Sequence, residues 1–117
     1  MFLTRPPLLL RAEWPVATLL AILLYNQLGT SWWLFALLVL APDLSALGYL
    51  VNVRIGAAAY NAAHTTILPV LLAAIGVLAD REWMIAVALI WLIHIAVDRA
   101  VGYGLKLPTG FKDIYET

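Results

Sequence analysis

The sequence predicts an all-α fold, an integral membrane four-helix bundle, and three observations lead to it. Of the 117 residues, 64% are hydrophobic and only 12% are charged, whereas a soluble domain is about half apolar and roughly a quarter charged. Long apolar segments follow one another along the chain, separated by short polar turns. A span needs roughly 20 residues, so the length allows four spans and little else. We therefore expect one four-span transmembrane domain over residues 1–117.

The first two spans are predicted over residues 12–28 and 31–51. Pro15 is expected in the first turn of the first span, where its missing backbone N–H is not needed. Pro42 falls inside the second span, where it removes a helix hydrogen bond and clashes with the carbonyl one turn earlier. The second helix is therefore predicted to kink beside Asp43.

The third and fourth spans are predicted over residues 57–78 and 84–105. Pro69 predicts a kink in the third helix and frees the carbonyl of Thr65. The remaining residues, 106–117, form a short polar tail that we expect to be cytoplasmic. Within it, residues 108–113 are expected to cap a polar pocket of the bundle from that side.

Basic residues predict the orientation of the chain. Four spans put both termini on one side of the membrane, and the positive-inside rule places that side in the cytoplasm. Arg81 then lies on the opposite side, and all other basic residues are cytoplasmic: Arg5, Arg11, Arg54, Arg99, Lys106 and Lys112. The formal net charge is zero, and no basic tail indicates a nucleic-acid partner.

Ionisable residues inside the spans indicate a functional site. His94 and Asp98 lie four residues apart in the fourth span, hence on one helix face. Charged groups at membrane depth are costly and mark functional positions. Counting the helix rise from the span ends places His64 and Asp43 at a similar depth, in the cytoplasmic half. We predict that these four side chains, from three spans, line one polar pocket.

The residue types in this pocket suit a divalent metal. Two imidazoles and one or two carboxylates are ligands for zinc, iron or manganese, and a catalytic site keeps one position open. In this interpretation His64, His94, Asp98 and Asp43 hold the ion, which activates water to hydrolyse an amphiphilic substrate. Polar residues nearby are candidates for supporting the ligands: Asn61, Ser45, Thr65, Tyr60, Tyr49 and Arg99.

Other functions stay open on the sequence alone. The same side chains can act as hydrogen-bonded glue between helices or relay protons in transport. The histidines of the third and fourth spans can instead ligate haem or a pigment. A chain this small and apolar also fits a non-catalytic accessory subunit of a larger membrane complex, or a homo-oligomer.

Several stretches together resemble a bacterial membrane family. Residues 29–33 (GTSWW), 41–49 (APDLSALGY), 60–65 (YNAAHT) and 94–113 are similar to the domain of unknown function 4260. The resemblance covers nearly the whole chain. It implies a multi-pass four-helix protein of the bacterial inner (cytoplasmic) membrane and assigns no activity.

A looser resemblance is to membrane-bound metal-dependent hydrolases. Residues 42–45 resemble their Pro-Asp-Leu-Asp element, with Ser45 in place of the second aspartate. Residues 64–65 resemble their Thr-His-Ser element in inverted order, and His94 with Asp98 resembles their later His-x-x-x-Asp. The resemblance implies metal-dependent hydrolysis with fewer ligands than those enzymes carry.

Overall fold

A computed structural model describes residues 4, 6–101, 105–106 and 114–115. The described chain is helical, as expected, apart from two strands of two residues each. The helices are α1 Pro6–Leu28, α2 Trp32–Leu38, α3 Val53–His64, α4 Ile67–Leu78 and α5 Glu82–Ala100, with a 3₁₀ segment, Ala41–Leu50, between α2 and α3. Strand β1, Leu105–Lys106, pairs antiparallel with β2, Ile114–Tyr115. Residues 107–113 lie outside the described residues, and so does the expected cap.

Helix α5 lies at the centre of the fold and packs against α1, α2 and α4, whereas the 3₁₀ segment packs against α3. The core forms mainly between α1 and α5, where the two alanines let the helices approach. Its buried residues are Ala21, Tyr25, Ala86, Leu89, Ile90 and Ile93. The Tyr25 hydroxyl donates a hydrogen bond to the Ser31 carbonyl at 2.6 Å. This bond ties α1 to the start of α2, across a turn in which Gly29 adopts a φ of 71°.

Two segments, Trp32–Leu50 and Glu82–Ala100, are long and apolar enough to cross a membrane. Helices α3 and α4 meet at a bend of 40° and make a third such segment if the bent pair counts as one span. Large apolar side chains are also widely exposed, for example Leu50 and Leu78. Lipid solvates such side chains, which indicates a membrane protein. The four-span count and the orientation of the termini stay predictions.

Both segments predicted to contain a proline kink are divided in the structure. The second consists of α2 and the 3₁₀ segment, in which the Asp43 N–H bonds to the Leu40 carbonyl at 3.0 Å. The third is divided at Thr65 and Thr66, just before Pro69. A proline lacks the N–H that would bond four residues back, and its ring crowds that carbonyl.

Helix α1 begins at Pro6, six residues before the predicted start of the first span at residue 12. Proline fits the first turn of a helix, since its fixed φ is helical and the first N–H groups have no partner anyway. Consequently Pro15, which was expected in the first turn, lies inside α1.

Two further boundaries differ from the predicted ones. Helix α3 begins at Val53, because Asn52 caps it by accepting a hydrogen bond from the Ile55 N–H at 2.8 Å. Helix α5 ends at Ala100 rather than at residue 105, and Leu105 lies in β1. Glycines at positions 102 and 104 are poor helix formers, which accounts for the early end.

Candidate metal centre

His64 is the last residue of α3, and its imidazole is buried. Its Nδ1 atom lies 2.8 Å from the carbonyl oxygen of Tyr60, one turn earlier on the same helix. The rings of the two residues stack with centroids 3.7 Å apart and planes within 6°. The helix and the tyrosine ring together fix the direction in which the Nε2 atom points.

His94 is buried within α5 and is oriented by a different element. Its Nδ1 atom lies 2.6 Å from the carbonyl oxygen of Val39, which follows the end of α2. This carbonyl is available because the Asp43 N–H, which would reach it in an α-helix, bonds to Leu40 instead. The change from α to 3₁₀ geometry before Asp43 therefore supplies the acceptor that orients His94.

The protonation of both imidazoles follows from these partners. A carbonyl oxygen only accepts hydrogen bonds, so the Nδ1 atoms of His64 and His94 carry hydrogen and donate it. In the neutral imidazole the Nε2 atom then carries a lone pair. The two Nε2 atoms lie 3.2 Å apart, which is close enough for both to bind one ion.

Two carboxylates complete the cluster. An oxygen of Asp43 lies 3.2 Å from the His64 Nε2 atom and 3.1 Å from that of His94. An oxygen of Asp98 lies 3.5 Å and 3.2 Å from the same two atoms. One potential ligand atom from each of the four residues lies within 4.8 Å of all the others. The side chains predicted to share a pocket thus lie together.

These separations are those of a metal coordination shell. Four ligands placed tetrahedrally about 2.0–2.2 Å from a zinc ion are about 3.3–3.6 Å apart. The five described separations run from 3.1 to 3.5 Å, close to that range. Four electron-pair donors at this distance repel one another unless a cation lies between them. Asp43, His64, His94 and Asp98 are therefore positioned to hold a metal ion.

The cluster is shielded from one side and open on another. The side chains of His64 and His94 are 4% and 5% exposed, and that of Asp98 is 23% exposed. The Asp43 side chain is 53% exposed. A ligand from outside the protein therefore reaches the cluster past Asp43.

The residues predicted to support the ligands fall into two groups. Tyr60 contacts His64 directly, as described above, and Arg99 donates a hydrogen bond from Nη2 to the His64 carbonyl at 3.4 Å. The Arg99 guanidinium also lies 5.2 Å from the centre of the Trp14 ring, a cation–π distance. Arg99 thus connects the end of α3 to α1 and α5.

The second group supports the backbone around the ligands. The Ser45 hydroxyl donates to the Pro42 carbonyl at 2.7 Å, within the segment that carries Asp43. The Thr65 N–H bonds to the Asn61 carbonyl at 2.8 Å and closes the last turn of α3. Tyr49 packs its ring against Gly56, which holds the 3₁₀ segment on α3.

The sequence did not identify the Val39 carbonyl, and it named Tyr60 as a supporting residue without showing how its ring contacts His64. The Val39 carbonyl orients His94, and the only signal for it was Pro42, which indicated disturbed backbone bonding nearby. The stacking of Tyr60 on His64 follows from their spacing of four residues on α3. That spacing indicates a contact, although it does not distinguish a stacked ring from a hydrogen bond.

Comparison with known proteins gives a family and no activity. The family model "Domain of unknown function (DUF4260)" matches residues 7–115. No curated protein and no solved structure matches the chain. The match includes all four residues of the cluster and extends over nearly the entire sequence. The chain therefore belongs to the DUF4260 family, whose members share a domain of unknown function.

Proposed function

We propose that this protein binds one divalent transition-metal ion through His64, His94, Asp98 and Asp43 and uses it to hydrolyse an amphiphilic substrate. The observation that supports the metal site is the convergence of two imidazole Nε2 atoms and two carboxylate oxygens at 3.1–3.5 Å. Mixed imidazole and carboxylate ligands suit zinc, with iron and manganese as the alternatives.

The charge balance in a membrane supports the same proposal. Two ionised carboxylates next to two neutral imidazoles carry a charge of minus two, inside segments that are otherwise apolar. Uncompensated charge at membrane depth costs several kcal/mol. A divalent cation cancels this charge and satisfies all four donors at once. Interhelical hydrogen bonding alone would balance the charge only with two imidazolium rings whose Nε2 atoms lie 3.2 Å apart, where like charges repel.

Asp43 is the ligand that exchanges in the proposed reaction, because it is the most exposed of the four. A bound divalent metal lowers the pKa of its water to near 7 and so supplies a nucleophile at neutral pH. In hydrolysis of an ester, the oxygen of such a water would bond to the acyl carbon as the ester C–O bond breaks. The Asp43 carboxylate takes the proton from the water and returns it to the departing alcohol.

A second function, a structural metal clamp, is favoured by the number of ligands. Structural zinc sites are closed by four protein ligands, whereas catalytic sites keep one position open. Here four side chains are within reach of one ion. In this alternative the ion joins the 3₁₀ segment, α3 and α5 and has no substrate.

The cluster geometry argues against haem held between the two histidines. Axial ligands lie on opposite faces of the iron, so their nitrogen atoms are separated by two metal–nitrogen bonds, about 4 Å in all. The Nε2 atoms of His64 and His94 are 3.2 Å apart and face two carboxylates. A macrocycle does not fit between them.

Metal content tests the proposed site. We expect purified protein in detergent to contain about one equivalent of zinc, iron or manganese by elemental analysis. His94→Ala and Asp98→Asn are expected to lose it. The matched control is Asp80→Asn, which changes a carboxylate in the turn after α4, outside the cluster. Wild-type protein that purifies without metal would overturn the proposed metal site. If this metal-free protein also purifies with a larger assembly, the result would indicate an accessory subunit.

Ester hydrolysis separates the two functions. Under the hydrolase proposal, zinc-loaded protein cleaves p-nitrophenyl dodecanoate in mixed micelles, and Asp43→Ala loses this activity while three ligands retain the metal. Chelated protein and His94→Ala serve as the background. Protein that retains one equivalent of metal and shows no activity above this background is a structural clamp.

A further inference from the structure

An apolar cavity of about 280 Å³ lies at the junction of the 3₁₀ segment, α3 and α5. One wall consists of Leu38, Ala41 and Pro42, and the facing wall includes Ala63, Ile90 and Trp91. None of these side chains carries a charge. Among the residues that line the cavity, only Trp91 has a side-chain N–H, and this group donates a hydrogen bond to the Ala63 carbonyl at 2.5 Å. The walls therefore offer a guest apolar contact and no free side-chain donor.

Residues that line the cavity lie next to, or one helical turn from, three of the four ligands along the chain. Pro42 immediately precedes Asp43, and Ala63 immediately precedes His64. Ile90 lies one turn before His94, on the same face of α5. A guest in the cavity is consequently bordered by the same three elements that carry the four ligands.

We infer that this cavity holds the hydrocarbon chain of a single-chain amphiphile whose polar head lies at the His/Asp cluster. The placement of the head rests on the proposed function, whereas the chain site rests on the cavity alone. A flexible chain suits the volume, which is just below the 300–1,000 Å³ typical of pockets for compact drug-sized ligands. An apolar guest also suits a cavity between segments capable of spanning a membrane.

The position of Asp43 explains how such a guest enters. Asp43 is the exposed ligand, and its neighbours Ala41 and Pro42 belong to the cavity wall. A chain that enters along this wall brings its head group to the side on which Asp43 is exposed. A second apolar cavity, about 200 Å³ between α1 and α5, has none of the four ligands next to its lining residues in sequence.

Photolabelling of the full chain tests the inference. The probe is dodecanoic acid with a diazirine at the chain end, added to zinc-loaded protein in detergent micelles. We expect labelling of Leu38, Ala63 and Trp91 to saturate and to be displaced by unlabelled dodecanoic acid. Labelling of Leu19 and Leu23, on the exposed face of α1, is expected to rise linearly. Linear, undisplaced labelling at both places would overturn the inference.

Filling the cavity provides the variant test. Ala63→Phe is expected to weaken saturable labelling by about tenfold or more, equivalent to lost burial of about two methylene groups. Ala62→Phe is the matched control, because Ala62 is its exposed neighbour on α3. Ala41→Phe, on the opposite and exposed wall, gives the same test if Ala63→Phe does not fold. Unchanged saturable labelling in a folded cavity variant would contradict the chain site.

Metal dependence tests where the head lies. Zinc is expected to lower the probe concentration at half-saturation by about tenfold, because it adds one charge-assisted contact to the carboxylate of the probe. If zinc-loaded and metal-free protein reach half-saturation at the same probe concentration, the placement of the polar head at the His/Asp cluster is overturned. Metal-free protein with saturable labelling would instead remove the proposed function and leave the chain site standing.

Discussion

At the scale of single residues, the cluster depends on how two imidazoles are aimed. His64 is held by the Tyr60 carbonyl and ring, and His94 by the Val39 carbonyl. Each Nδ1 atom is used for orientation, so each Nε2 atom is left for the cluster. Partners of this kind fix the tautomer and ring direction of metal-ligating histidines.

The Tyr60 ring gives a residue-scale prediction. Tyr60→Leu removes the ring stacked on His64, whereas Tyr60→Phe keeps it. An aromatic pair contributes about 0.5–1.5 kcal/mol, so Tyr60→Leu is expected to weaken zinc binding by roughly two- to tenfold. Competition with a chromogenic chelator measures the change. Equal affinities for the Leu and Phe variants would show that stacking does not position His64.

Asp43 and Asp98 are expected to differ as ligands. Asp98 is the less exposed of the two, so water cannot easily replace its carboxylate as a ligand of the bound ion. Asp43 is half exposed, and water can take its place. We predict a larger loss of zinc affinity for Asp98→Asn than for Asp43→Asn, measured by the same competition. A larger loss for Asp43→Asn would contradict its assignment as the exchangeable ligand.

At the scale of elements, the site requires the 3₁₀ segment to lie close against α3. Gly56 makes this possible, because a Cβ atom there would clash with the ring of Tyr49. Gly48 makes a similar approach, with an added Cβ 3.1 Å from the Cβ of Ala59. The contact places Asp43 beside His64, although 20 residues separate them in the sequence.

Gly56→Ala is therefore predicted to destabilise the protein. Overpacking of this kind costs about 1–3 kcal/mol, which is measurable by thermal unfolding in detergent. The double variant Tyr49→Ala with Gly56→Ala removes the clashing ring and is expected to be less destabilised than the sum of the two single variants. Strict additivity would show that this contact is not the cause.

Sequence patterns predicted the apolar segments better than their ends. Composition and segment length indicated helices, whereas the kinks attributed to Pro42 and Pro69 stay predictions. The early start at Pro6 was missed because prolines were interpreted as breakers, although they also fit a first turn. The start of α3 was missed because the capping role of Asn52 depends on a local backbone bond, to the Ile55 N–H.

At the scale of the whole molecule, the cluster joins segments that are distant in sequence. Asp43, His64 and Asp98 come from the 3₁₀ segment, α3 and α5. Similar depth in the predicted spans indicated that they meet, because polar groups in lipid need one another. Depth alone did not give the separations, the orienting carbonyls or the adjoining cavity, which depend on the path of the backbone.

Metal removal is the prediction at this scale. A ligand that binds only the folded state at 1,000 times its Kd stabilises by about 4 kcal/mol. Chelation is therefore expected to lower the unfolding temperature of the wild-type protein by several degrees, and zinc is expected to restore it. His94→Ala should already show the lower value and respond little to either treatment. An equal response of the variant would place the stabilising ion elsewhere.

X-ray absorption at the zinc edge of the loaded protein tests the central claim most directly. The predicted spectrum has four nitrogen and oxygen neighbours at about 2.0–2.2 Å, with the outer-shell scattering of two imidazoles. Asp43→Ala, which keeps three of the four ligands, should bind zinc with the scattering of both imidazoles retained. A wild-type spectrum of oxygen neighbours alone, without imidazole scattering, would show that His64 and His94 do not bind the metal.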